Sequence, residues 1–164
     1  MIPCKAPFNN MYFNVRGRVS PCWKLPGYCD NWSQDRSIKD IWFGDKFQMY
    51  RDALEKNIFL NRCKECEKNI NEGVWPLAKA YEDFPMNQYP SMMELELSNQ
   101  CNLECIMCNG DLSSGIRKNR ENLPPLPMIY DDLFREQLHE FIPHLVELRF
   151  NGGEPFAQKS VLDI

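Results

Sequence analysis

No stretch of this chain is long and apolar enough to cross a membrane. Its start, MIPCKAPFNN, has neither the basic segment nor the apolar run of a secretory signal. Internal repeats and low-complexity tracts are also missing. Nor is there an excess of basic residues: 19 Lys and Arg stand against 23 Asp and Glu, a formal net charge of −4, with a pI near 5.3. That balance argues against a broad phosphate-binding surface, so nucleic acid is not an expected partner. These absences point to a cytoplasmic protein without a membrane partner. Hydrophobic residues still make up 43% of the 164 positions, enough for a real core, which excludes wholesale disorder. The length suits one ordinary domain or two small ones.

What the chain does have is cysteine, eight in all. In a cytosolic setting that number is better explained by metal than by disulfides. The even count also permits a secreted disulfide scaffold, but the missing signal and a length able to bury a core argue against it. Cys101, Cys105 and Cys108 lie in the tight run CNLECIMC. A structural zinc site is normally closed by four protein ligands, and this loop offers three. Three thiolates on a cubane iron–sulfur cluster would leave one iron without a protein ligand, a place where chemistry can happen.

The chain divides into two parts. In the first, 11–15 and 18–21 flank Gly17 and predict a short hairpin. A turn-rich loop, PGYCDNWSQD, follows. Ser37 with Asp40 resembles a capping signal before Ile38, Ile41 and Trp42. Asp45 is placed to cap a second helix with Phe47, Tyr50 and Leu54 on one stripe, and Cys63 and Cys66 come just past its end. Gly73, Pro76, Pro85 and Pro90 then break regular structure, so 73–90 reads as a linker between residues 1–72 and 91–164. In the second part, alternation of Met93, Leu95 and Leu97 predicts a strand over 92–97. A polar passage through PPLP leads to a helix over 131–142 with Leu133, Phe134, Leu138 and Phe141 on its apolar face, ended by Pro143. Residues 145–150 read as another strand leading into NGGEP, and the closing KSVLDI as the start of a helix. Strand, helix, strand suggests a parallel βαβ unit. The cysteine loop and NGGEP would then share the C-terminal edge of the sheet, where α/β proteins bind ligands.

CxxxCxxC at 101–108 followed by GGEP at 152–155 resembles the start of a radical S-adenosylmethionine (radical SAM) enzyme, over roughly the last 75 residues. The resemblance implies that Cys101, Cys105 and Cys108 hold a 4Fe–4S cluster. Its open iron would bind the amino and carboxylate groups of S-adenosylmethionine. One electron would cleave the sulfonium to methionine and a 5′-deoxyadenosyl radical that abstracts hydrogen from a substrate. Gly152, Gly153, Glu154 and Pro155 would form the turn holding the methionyl amino group. Met107 stands where the family often has an aromatic residue, next to the adenine. Taken alone, GGEP is an ordinary turn after a strand, and CxxxCxxC half of a zinc site or three buried thiols.

Cys4, Gly17 and Cys22 form C-x12-G-x4-C, and Cys63 with Cys66 forms CxxC. This resembles the SPASM/twitch auxiliary domains of many radical enzymes, over roughly residues 4–70, although such domains usually follow the barrel. No cysteine lies between Cys66 and Cys101, so a single-cluster twitch version fits better than a full SPASM pattern. The resemblance implies that Cys4, Cys22, Cys63 and Cys66 ligate one auxiliary 4Fe–4S cluster; four thiolates would also suit structural zinc. Cys29 is left over and reads as packing.

His139 and His144 read as surface or core residues, Asp131 and Asp132 as helix N-terminal acids, and Trp42, Phe43 and Phe47 as core. No catalytic side chain is assigned. The expected fold is α/β: the first βα units of a partial (β/α)6 barrel, preceded by a small α+β cysteine-rich domain. The expected function is a radical SAM oxidoreductase taking electrons from an external donor, with a peptide as the leading substrate class. Only about two barrel strands are present, so the chain is expected to be the N-terminal piece of a longer enzyme. The alternative is a non-catalytic iron–sulfur or zinc-binding module.

Overall fold

The structure is a computed structural model that describes residues 2–25, 27, 29–158, 161 and 164. In chain order its elements begin with the one-turn helix α1 (Ala6–Asn9) and strands β1 (Asn10–Phe13), β2 (Arg18–Ser20) and β3 (Asp30–Asn31). Helices α2 (Ile38–Trp42), α3 (Asp45–Glu55) and α4 (Lys64–Asn71) follow. Then come strand β4 (Met92–Leu95), helices α5 (Ser114–Asn119) and α6 (Asp132–Phe141), and strand β5 (Glu147–Phe150). No helix among the described residues is long and apolar enough to cross a membrane.

All five strands form one sheet in the order β3-β2-β1-β4-β5. The expected hairpin is there: β1 and β2 are antiparallel, with Gly17 in the turn at φ +75°. A side chain is disfavoured at that angle, and a Cβ on Gly17 would also lie 2.9 Å from Ile129. The expected βαβ unit is there too, with β4 and β5 parallel. What the sequence did not announce is the joint between the two parts. Strand β1 pairs in parallel with β4 along its whole length, Asn10 opposite Met92 and Phe13 opposite Leu95. Sheet and core therefore run across the expected division at 73–90. Within that stretch a 3-10 turn, Leu77–Tyr81, buries Tyr81 to 1% exposure.

The register sorts the side chains by face. Met11, Met93 and Leu148 align across the sheet, as do Phe13, Leu95 and Phe150, and successive residues alternate sides. The other face carries Tyr12, Glu94 and Arg149 in a row. Helix α6 covers the apolar face: Phe134, Leu138 and Phe141 are fully buried, and the Phe134 ring lies edge-on to Phe13 at 5.4 Å between centroids. Ile38, Ile41, Trp42 and Phe47 from α2 and α3 join the same core. One apolar layer thus holds helices from both parts.

Most local signals act as read. Ser37 and Asp40 form a reciprocal capping box on α2, and Asp131 caps α6 by accepting from the Phe134 N–H at 3.2 Å. Asp45 does not cap α3. Gly44 occupies that position with no side-chain bond, and Asp45 is already helical, one residue on, where its charge faces the positive helix end. Phe43 is not core: it is 44% exposed, edge-on to Tyr89, because it follows the last turn of α2 rather than lying on its buried stripe. His144 stacks on Tyr89 at 4.1 Å. Helices α1, α4 and α5 are additions; α4, KECEKNIN, buries no residue and so lacked an apolar stripe to betray it. The expected helix start at 159–164 falls mainly outside the described residues.

Phe134→Ala empties the centre of the shared layer and is expected to cost about 3–5 kcal/mol. A urea titration followed by tryptophan fluorescence checks this, and a loss below about 1 kcal/mol would mean the layer does not hold the fold.

Candidate iron–sulfur centres

Four cysteines line one cavity of about 350 Å³: Cys4 ahead of α1, Cys22 after β2, and Cys63 and Cys66 at the start of α4. Leu25, Phe59, Leu77, Ala78 and Tyr81 supply its apolar walls. The spacing CxxC works here because Cys63 is the N-cap residue of α4 and Cys66 lies in its first turn, so both thiols sit at the positive end of the helix. Cys22 follows directly from β2, whose pairing with β1 brings it beside the segment that carries Cys4.

Burial governs the chemistry of these thiols. It pushes Cys4 up to about 12, with the neighbouring Cys63 and Cys66 adding to the rise and a backbone bond at Ala6 opposing it. Burial likewise raises Cys22, reinforced by Cys4, and pushes Cys63 up to about 11, reinforced by Cys66. Without metal Cys4, Cys22 and Cys63 therefore keep their protons, and metal loading would have to release them. No disulfide links them. Four half-buried cysteines around an open space form a soft donor set that suits an iron–sulfur cluster. Among the described residues no three His, Cys, Asp or Glu side chains are grouped so as to hold a single metal ion. Cys29 stands apart, its thiol donating to the Val19 carbonyl at 3.4 Å while its side chain packs on the main core.

Cys101, Cys105 and Cys108 lie in the loop after β4. Cys101 and Cys108 are half-buried and Cys105 is exposed. The loop is tied down from behind: the Cys101 N–H donates to Ser114 Oγ at 3.2 Å and Ser113 Oγ donates to the Leu103 carbonyl at 2.7 Å. Its tip points outward, with Ile106 at 89% and Met107 at 85% exposure. Met107 has no wall around it in this structure.

The turn after β5 comes to the same edge of the sheet, because β4 and β5 are parallel. The two segments are joined by backbone bonds. The Glu154 N–H donates to the Gln100 carbonyl at 2.9 Å, and the Gly153 N–H to the Leu112 carbonyl at 3.1 Å. Gly152 and Gly153 take φ of +72° and +56°. A Cβ on Gly153 would fall 2.4 Å from the Gln100 carbonyl, so the approach of the two loops needs glycine there. Glu154 accepts from the Phe156 N–H at 3.2 Å, and Pro155 begins the 3-10 turn Pro155–Ala157. CxxxCxxC and GGEP are therefore contiguous in space as well as paired in sequence.

Two residues escaped the sequence reading. Gln158 is 1% exposed and its Nε2 bridges the Gly152 carbonyl at 3.0 Å and the Ser98 carbonyl at 3.4 Å, stapling the two loops together. Glu96 lies against Gly152; burial pushes its carboxyl up, with a Tyr12 hydrogen bond opposing. Neither carried a signal in the chain, since a lone Gln or Glu beside a motif is an ordinary surface residue until the tertiary contacts are known.

Residues 4–67 match the family model of SPASM, an iron-sulfur cluster-binding domain. The matched segment contains Cys4, Cys22, Cys63 and Cys66, the four residues around the cavity. The match supports iron–sulfur binding in this segment, and such domains are usually found in radical SAM enzymes. No curated protein and no solved structure matches the chain.

Gly153→Ala forces a side chain into both a left-handed backbone and the Gln100 carbonyl. It is expected to free the joint between the loops at a cost of about 2 kcal/mol. Hydrogen exchange at the Glu154 amide should then quicken by about thirtyfold; unchanged protection would show that the joint does not depend on this glycine.

Proposed function

We propose that this chain is an iron–sulfur protein of the radical SAM type. Cys4, Cys22, Cys63 and Cys66 hold an auxiliary 4Fe–4S cluster. Cys101, Cys105 and Cys108 hold a second cluster with one open iron, and residues 151–155 receive S-adenosylmethionine. The observation that carries the reading is the convergence of four of the five cysteines of the matched segment on one cavity. The contrast with the second trio supports the division of roles. Four sulfurs around one cavity suit a closed site, and three in a loop whose Cys105 is exposed leave room for a ligand.

When bound, S-adenosylmethionine at a one-electron-reduced cluster supplies hydrogen-atom abstraction from a substrate. The chain's part is to hold and orient. Gly152 and Gly153 let backbone approach closely, the Gln100 and Leu112 carbonyls fix the turn beside the cysteine loop, and Gln158 locks the pair from beneath. Glu154 has its carboxylate at the Phe156 N–H, in the turn that would face the methionyl amino group. The substrate is proposed to be a peptide, reached together with an external electron donor in the cytoplasm; this last step rests on family analogy.

Anaerobic reconstitution with iron and sulfide tests the reading. About eight irons per chain are expected, falling to about four in Cys63→Ala/Cys66→Ala and also to about four in Cys101→Ala/Cys105→Ala. With S-adenosylmethionine and reductant, 5′-deoxyadenosine should form. Zinc in place of iron and sulfide would overturn the reading. Eight irons without 5′-deoxyadenosine would favour a non-catalytic iron–sulfur module.

A further inference from the structure

The four-cysteine cavity and the polar face of the sheet share a wall. Tyr81 is that wall: it lines the cavity, is 1% exposed, and donates its hydroxyl to Glu94 Oε1 at 3.0 Å. Asn10 reaches the same oxygen. Its Nδ2 lies 2.9 Å from Glu94 Oε1 and 2.9 Å from the Pro21 carbonyl, the residue before Cys22. Two side chains thus run from the cavity rim to one carboxylate in the middle of β4.

That carboxylate is expensive to keep. Glu94 is 3% exposed, and a buried charge is strongly disfavoured unless it is paired. Its pairing is weak: Arg149 Nη1 stands 4.0 Å from Oε2, while the Arg149 Nε is bound more closely to Glu147. Its own face of the sheet carries Tyr12 and Arg149 beside it rather than the apolar core that takes Met93 and Leu95. The charge acts on what lies behind Tyr81. Burial raises the Tyr81 phenol far above its ordinary value, and Glu94, which accepts its hydrogen bond, pushes in the same direction. The phenol is therefore a neutral donor standing between that carboxylate and the cavity.

We propose that Glu94, acting through Tyr81 and Asn10, sets the reduction potential of the cluster held by Cys4, Cys22, Cys63 and Cys66. The inference rests on the reading that these four cysteines hold an iron–sulfur cluster. Cluster potential follows net charge, hydrogen bonding and burial around the sulfurs. A buried negative charge beside the cavity disfavours adding an electron, so it holds the potential low. Glu94 is a positioning residue, touching neither cluster nor substrate. Because β4 also leads into the cysteine loop, this carboxylate lies on a strand that backs onto the cavity wall at Tyr81 and runs on to the second centre.

The test is an anaerobic redox titration of the reconstituted chain, followed by electron paramagnetic resonance. Cys101→Ala/Cys105→Ala serves as background, so that only the auxiliary cluster is read. Glu94→Gln keeps the shape and the accepting oxygen but removes the charge. It is expected to favour reduction on the order of tenfold, an upward shift of about 59 mV for one electron. Arg149→Gln removes the opposing cation from the partly exposed end and is expected to give a smaller downward shift. Opposite shifts with unchanged iron content are the mark of a field; loosened packing would not reverse sign between the two variants. A Glu94→Gln shift under twofold, or shifts of the same sign in both variants, would overturn the proposal and leave the cluster reading standing. Failure of the background chain to take up iron and sulfide would overturn both.

Discussion

Four residues of β1, Asn10–Phe13, pair residue for residue in parallel with Met92–Leu95 of β4, and the other placements follow from that ladder. On one side it continues into the β1–β2 hairpin, which delivers Cys22 to the cavity. On the other it continues into β5, which delivers the GGEP turn to the cysteine loop. Below, it lines up Met11, Phe13, Met93 and Leu95 as the surface on which α6 packs. A parallel pair needs a long crossover, and residues 14–91, with α2, α3 and α4, supply it. The two cysteine groups are therefore placed by one hydrogen-bonded framework rather than by a flexible tether.

The two groups differ in their surroundings. Around the cavity, desolvation favours the protonated form of Cys4, Cys22 and Cys63, and Leu25, Phe59, Leu77, Ala78 and Tyr81 supply apolar walls. In the loop after β4 Cys105 reaches the surface, with Ile106 and Met107 exposed beside it. The rigid part of this region is its base, where Gln158 and the Gln100 carbonyl fasten the turn.

Much of this was legible in the chain because the signals were local. The Ser37/Asp40 box, the alternation at 92–97 and the apolar stripe of α6 each depend on neighbours within a turn or a strand. What was not legible depends on partners far along the chain. Nothing in NMYF specifies a parallel partner more than 80 residues away, so the first part read as a separate unit. Tyr81 sat among prolines and glycine and looked like linker, yet it is the wall between the cavity and the sheet. Gln158 and Glu94 are polar residues whose meaning comes only from burial. The four cysteines could be grouped by family resemblance, but their common cavity could be seen only in three dimensions.

Native-state hydrogen exchange in low urea, with β1 and β4 amides read separately, tests the central claim most directly. If one ladder holds both cysteine groups, amides of Asn10–Phe13 and Met92–Leu95 will open in a single cooperative step with the same free energy and the same urea dependence. Opening of β1 and the hairpin at distinctly lower free energy than β4 and β5 would contradict it, showing two units that merely touch.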